Sequence, residues 1–144
     1  MTPYLLDVNV LIGLIDPTST HHEAAHRWFA SLGDTPWATC PLTENAVLRI
    51  IGNKAYSNSP GPPAVVAEIL SRVVALPGHV FWPDAFSLLV SPGVDLTRLL
   101  HPDQITDTYL ISLARSHGGQ LATFDRRIIV DAVPNGAGAV HWIS

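Results

Sequence analysis

Short apolar runs of strand character alternate with stretches of helical periodicity along the chain. This alternation predicts an α/β domain with a mostly parallel central sheet. Composition supports it: of 144 residues, 47% are hydrophobic and 14% charged, which excludes a disordered chain. The length suits one domain, residues 1–144, with a sizeable core, and no internal repeat is visible.

Tyr4, Leu5 and Leu6 form an apolar run that ends at Asp7 and reads as a buried strand. Residues 8–15 read as helix or turn, stopped by Asp16-Pro17. Thr20 to Glu23 has the spacing of a capping box. The helix it introduces puts Ala25, Trp28, Phe29 and Leu32 on one face and closes at Gly33. Residues 37–40 are a second strand. Thr43 is the expected N-cap of a helix over residues 44–51, closed by Gly52. Residues 53–63 are rich in Ser, Pro and Gly and form a loop. An amphipathic helix over 64–76 and a third strand over 79–82 follow. Residues 83–104 carry turn signals, with one short helix near 96–100. Thr106 is the expected cap of a helix over 107–117, closed by Gly118-Gly119. A strand over 120–124 ends at Asp125, a short helix is expected over 126–132, and residues 139–143 are the last strand.

Net charge is −4, which argues against a basic surface that binds nucleic acid by bulk attraction. A polyanion would have to be met by a local patch or by bound cations. Cys40 is the single cysteine, so an intramolecular disulfide and a multi-cysteine zinc site are excluded. That usage fits a reducing compartment, and the expected location is cytoplasmic. Mean hydropathy is +0.26. No stretch approaches the roughly 18 apolar residues of a membrane span, and the first residues lack the basic start of a secretory signal.

The acids are the informative residues. Asp7 and Asp125 each follow a short apolar strand, so both belong at the carboxyl end of a parallel sheet, where ligands bind in this architecture. Glu44 and Asp107 each follow a threonine and fall in the first turn of a helix, where the helix dipole favours a carboxylate. One such aspartate alone would read as a cap. Four could converge on one cleft. Two like charges ~6 Å apart repel by roughly 3 kcal/mol at an effective dielectric of 20. The cluster must therefore protonate or bind cations. An oxygen-only site suits Mg²⁺ or Mn²⁺, and two such ions can align a water and clamp a phosphodiester.

Leu6-Asp7-Val8-Asn9-Val10-Leu11-Ile12 resembles the opening motif of PIN-domain proteins. Thr43-Glu44 before an apolar helix, Thr106-Asp107-Thr108-Tyr109-Leu110, and Leu121-Ala122-Thr123-Phe124-Asp125 resemble their second, third and fourth motifs, in order. Size and motif wording are most similar to VapC toxins of toxin–antitoxin pairs. The resemblance implies a three-layer α/β/α PIN-like fold and an endoribonuclease dependent on one or two Mg²⁺ or Mn²⁺ ions. Position by position, Asp7, Glu44, Asp107 and Asp125 match the acidic quartet that holds metal and carries catalysis. Asn9 matches the asparagine that supports the first acid, and Thr123 a hydroxyl near the fourth. The resemblance also implies an RNA substrate, a homodimer and a cognate VapB-type antitoxin. Some relatives carry a further acid after the fourth motif, where this chain has Arg126-Arg127.

Arg126, Arg127 and Arg49 are candidate RNA contacts, since guanidinium forks suit phosphate. His22 and His26 have metal-ligand spacing but no third ligand, and are expected at the solvent-facing surface. Cys40 and the four tryptophans are expected in the core, Asp103 in a turn after Pro102, and residues 53–63 in a plain connection. Two other functions fit less well. A receiver-type Mg²⁺-binding signalling domain needs a late lysine, and Lys54 is the single lysine, in the wrong half. A catalytically inactive PIN-fold binding module does not need an intact quartet.

Overall fold

The computed structural model describes residues 1–144. Five strands, β1 (Tyr4–Leu6), β2 (Trp37–Thr39), β3 (His79–Phe81), β4 (Gln120–Thr123) and β5 (Val140–Trp142), pair in parallel in the order β3-β2-β1-β4-β5. Five α-helices connect them: α1 (Val8–Ile15), α2 (His22–Ala30), α3 (Pro41–Ile51), α4 (Pro63–Val74) and α5 (Gln104–Ser116). The chain winds outward from β1 to β3, then returns to place β4 on the other side of β1. The switch point of the sheet therefore lies between β1 and β4, and in this architecture ligands bind beyond the carboxyl ends of the strands at that point.

Strand side chains alternate between faces. Leu5, Ala38 and Leu121 pack with Tyr109, Leu110, Leu113 and Ala114 of α5. Leu6, Trp37 and Ala122 pack with Val10, Ala25, Val47 and Val66 of α1 to α4. The result is the expected three-layer arrangement. Each fully buried Leu, Ile or Val contributes about 1.5–3 kcal/mol over its exposed state. No helix is long and apolar enough to cross a membrane.

Both helices that carry candidate acids begin earlier than expected. In α3, Pro41 takes the first position, where its fixed φ suits a helix start, and Cys40 is the N-cap. Thr43 is thus inside the helix, and its hydroxyl accepts from the Cys40 N–H at 3.1 Å. In α5 the cap is Asp103 and Thr106 is likewise internal. Glu44 and Asp107 share one position, the fourth residue of their helices.

Three other local expectations change. The Thr20 capping box does not form; His21 precedes α2 without a side-chain cap. His22 Nδ1 donates to the Gly13 carbonyl and His26 Nε2 to that of Leu14, each at 2.8 Å. The pair therefore serves the open carbonyls at the end of α1. The helix expected over 126–132 is absent, because the Arg127 N–H is held by Asp125 Oδ1 and the Ala132 carbonyl by the Asp95 N–H. Between residues 83 and 104 the chain makes two 3₁₀ turns, Leu88–Val90 and Leu96–Arg98. Buried Gln104 stitches the second to α5, accepting from Leu100 and His101 N–H and donating to the Arg98 carbonyl.

Residues 53–63 are tied down. Asp16, at the end of α1, accepts from Tyr56 OH, from Asn58 Nδ2 at 2.8 Å, and from the Thr18 hydroxyl and N–H. Cys40, Trp37 and Trp82 are buried as expected, whereas Trp28 and Trp142 are half-buried.

Candidate active site at the carboxyl edge of the sheet

Asp7 follows β1 directly and caps α1, accepting from the Val8 N–H at 2.8 Å. The register that pairs Leu6 with Ala122 sets Asp7 beside Thr123. Thr123 Oγ1 donates to Asp7 Oδ2 at 2.8 Å and accepts from Asn9 Nδ2 and the Asp125 N–H, each at 3.1 Å. One proton and two lone pairs are all a hydroxyl has, so Thr123 is fully used. Asn9 Oδ1 accepts from the Phe124 N–H at 3.1 Å, which fixes the direction of its amide. Asp7, Asn9, Thr123 and the backbone of Asp125 thus form one closed network across the switch point.

Burial pushes the Asp7 carboxyl above its usual range, and the charge of Asp125 adds to this, against the bonds from Thr123 and Val8. Asp107, half-buried on α5, is pushed up to about 6 by burial first, then by the charges of Asp7, Asp125 and Asp103. Asp103 lies in the turn after Pro102, as expected, and from one helical turn before Asp107 it also adds charge to this cluster. No cationic side chain pairs with any of the four; the one salt bridge in the molecule joins Arg98 to Asp95. Asp7, Asp107 and Asp125 therefore form an uncompensated negative cluster.

Glu44 is bonded to the end of β2. Its Oε2 accepts from Thr39 Oγ1 at 2.6 Å, and His79 Nε2 lies 2.7 Å from the same hydroxyl. By alternation Thr39 lies on the Trp37 face of the sheet, opposite the face of Leu5 and Leu121 on which α5 carries Asp107. The charges of Asp7, Asp107 and Asp125 thus act on one another while Glu44 is bonded to Thr39, and no three acidic or histidine side chains stand close enough to share an ion as they are. Chemically the set fits a divalent cation: the donors are hard carboxylate oxygens, and the charge that lifts Asp107 has no other counter-ion.

Arg126 Nη2 reaches the Ile143 carbonyl at 3.5 Å, while Arg127 is exposed and donates its backbone N–H to Asp125 Oδ1. Arg49, exposed in the last turn of α3, is more than one turn beyond Glu44 and outside the cluster. Thr39, His79 and the His21 ring stacked on Phe124 at 4.3 Å carried no signal in the sequence; Asp103 did, by its four-residue spacing from Asp107.

An acid cluster at the β1–β4 switch point of this sheet is the arrangement of a PIN domain, and the PIN domain family matches residues 4–133. The chain belongs to the PIN-domain family. Within it, the chain is similar to Ribonuclease VapC39 of Mycobacterium tuberculosis, 42% identical over 84% of this chain and 87% of that relative. It is similar also to Ribonuclease VapC44 of the same organism, 40% identical over 90% of this chain and 91% of that relative. Two solved structures share the fold. One is VapBC2 from Rickettsia felis bound to a DNA fragment from their promoter, with TM-score 0.67, 12% identity, and coverage of 99% of this chain and 100% of that one. The other is FitAcB from Neisseria gonorrhoeae, with TM-score 0.56, 18% identity and 95% coverage of each.

Proposed function

We propose that this chain is a divalent-metal-dependent endoribonuclease, the toxin of a VapBC-type pair, with Mg²⁺ or Mn²⁺ as its ion. The observation that carries the reading is the gathering of Asp7, Asp107 and Asp125 at the β1–β4 edge, where burial first and then the charges of Asp7, Asp125 and Asp103 push Asp107 up to about 6 with no cation paired to them. Asp7, Asp107 and Asp125 would hold the ion, with Glu44 as the fourth acid. A bound divalent ion supplies charge neutralisation and Lewis-acid assistance to phosphodiester hydrolysis. Thr123, itself bonded by Asn9, fixes the Asp7 carboxylate at the β1–β4 edge before substrate arrives. Arg127, exposed two residues after Asp125, would bind the RNA backbone as a phosphate fork.

Residues 1–144 act as one unit in this reading, in the cytoplasm, with a VapB-type antitoxin and as a homodimer. Leu89 and Val90, adjacent in the first 3₁₀ turn and 78% and 81% exposed, support a protein partner, since exposed apolar side chains mark association surfaces when grouped.

The test is cleavage of total bacterial RNA by the purified chain and by Asp7→Asn, with Mg²⁺, Mn²⁺ or EDTA. Discrete fragments that require metal and vanish in Asp7→Asn are expected. No fragments under any condition, or fragments that persist in Asp7→Asn, would overturn the assignment.

A further inference from the structure

Gly13 lets α1 and α2 approach closely. A Cβ there would stand 3.1 Å from Ala25 Cβ and 3.3 Å from the His21 carbonyl oxygen, so a side chain would force the start of α2 outward. His21 is fixed at that start by its backbone: its N–H donates to Ser19 Oγ at 3.2 Å, and its carbonyl accepts from the Ala25 N–H at 2.8 Å. The His21 ring then lies flat on Phe124, with centroids 4.3 Å and planes 7° apart. Phe124 is buried and His21 exposed, so His21 shows solvent the other face and the edge of its ring. The backing is rigid. Asn9 Oδ1 holds the Phe124 N–H, and the next residue is held by Thr123 Oγ1 at its N–H and by Trp142 Nε1 at its carbonyl. That next residue is Asp125, so a flat aromatic face stands one residue from the aspartate cluster. His22 and His26, by contrast, turn a ring nitrogen inward to the Gly13 and Leu14 carbonyls.

We infer that His21, backed by Phe124, is a substrate-binding residue on which an unpaired RNA base stacks beside the aspartate cluster. The inference deepens the nuclease reading above and rests on it. Every base has a π face, and single-stranded RNA is held by stacking on aromatic side chains, histidine included. Stacking suits this chain because it needs no positive charge, and the net charge is −4. A base inside a duplex has both faces covered by its neighbours, so the contact selects unpaired RNA.

The test is fluorescence anisotropy of a short labelled oligoadenylate with the full chain carrying Asp7→Asn, in Mg²⁺, so that RNA is bound and not cut. His21→Leu and His21→Gln, two ways to keep Phe124 covered without a ring, are each expected to weaken binding about tenfold, the scale of one stacked base. The loss is expected at low and high salt alike, because stacking is not a charge contact. His21→Phe keeps a flat face and is expected to bind as its parent does. Duplex RNA of the same length is expected to respond to none of the three. The inference is overturned by a parent that binds no oligoadenylate, by unchanged binding in both His21→Leu and His21→Gln, by an equal loss in His21→Phe, or by a loss confined to low salt. A chain with Asp7 intact that cuts no RNA overturns the nuclease reading and this inference together. A chain that cuts RNA while its His21 variants bind as their parent does overturns this one alone.

Discussion

Thr123 gives its one proton to Asp7 and accepts from Asn9 and from the Asp125 backbone. Thr123→Val therefore removes a donor and strands two others in a buried place. A loss of about 1–3 kcal/mol is expected in urea unfolding, with Thr123→Ser close to wild type. Asp107 behaves in the opposite sense. Its folded value of about 6 lies above the ordinary carboxylate near 3.9. Without metal, the folded chain therefore takes up this proton before the unfolded chain does as pH falls. Stability from this group is present in full below about pH 4 and is lost as pH rises through 6. In EDTA, Asp107→Asn is expected to be more stable than wild type at pH 7.5 and no more stable at pH 4. Urea unfolding at the two pH values checks it; a variant less stable at pH 7.5 would remove the repulsion argument. A residue kept at a cost to the fold is one retained for function.

The elements were legible where a local rule decided them. Tyr4–Leu6 and Gln120–Thr123 are apolar runs cut off by aspartates, and strand ends of that kind place an acid at the sheet edge without further information. Helix starts were less legible. Threonine before an acid fits an N-cap and also the third helical position, and Pro41 was the signal that decides for the latter. Residues 126–132 have an apolar pattern, yet their backbone is claimed by Asp125 and Asp95, which are placed by the fold. The Thr39–His79 contact spans 40 residues and Asp7–Thr123 spans 116, so topology sets both and no spacing rule announces them. Asp16 is the same kind of feature at the end of α1. Its bonds to Tyr56, Asn58 and Thr18 hold its carboxyl well below the usual range, and Tyr56 is pushed up to about 12 by burial and by Asp16. The depressed group stabilises the fold above about pH 4 and stops doing so as pH falls below that. Asp16→Ala is expected to cost about 1–2 kcal/mol at pH 7, and the deficit against wild type should shrink on acidification. Limited proteolysis should then cut within residues 53–63, which Asp16 pins; an uncut loop would mean that Pro and Gly alone fix it.

The whole chain bears a net charge of −4 and gathers three aspartates at its switch point, with a fourth, Asp103, adding to their field. An acidic molecule of this kind cannot draw RNA by its own charge, and repulsion at the cluster works against both folding and substrate. A divalent ion held there would answer both problems, because it would bind the folded arrangement and not the unfolded chain. The linkage is quantitative: an ion at 100 times its dissociation constant adds about 2.7 kcal/mol to stability. For a domain of this size that raises the melting temperature by several degrees. Mg²⁺ or Mn²⁺ is therefore expected to raise the wild-type melting temperature in a saturable way, and Asp7→Asn and Asp107→Asn are expected to lose most of that rise. Monovalent salt at equal ionic strength screens the same repulsion without occupying the site, and its effect should be smaller and unsaturable. If monovalent salt matched the divalent ion, the cluster would be a field relieved by any counter-ion. If the divalent rise survived in both variants, the ion would be binding elsewhere on the chain.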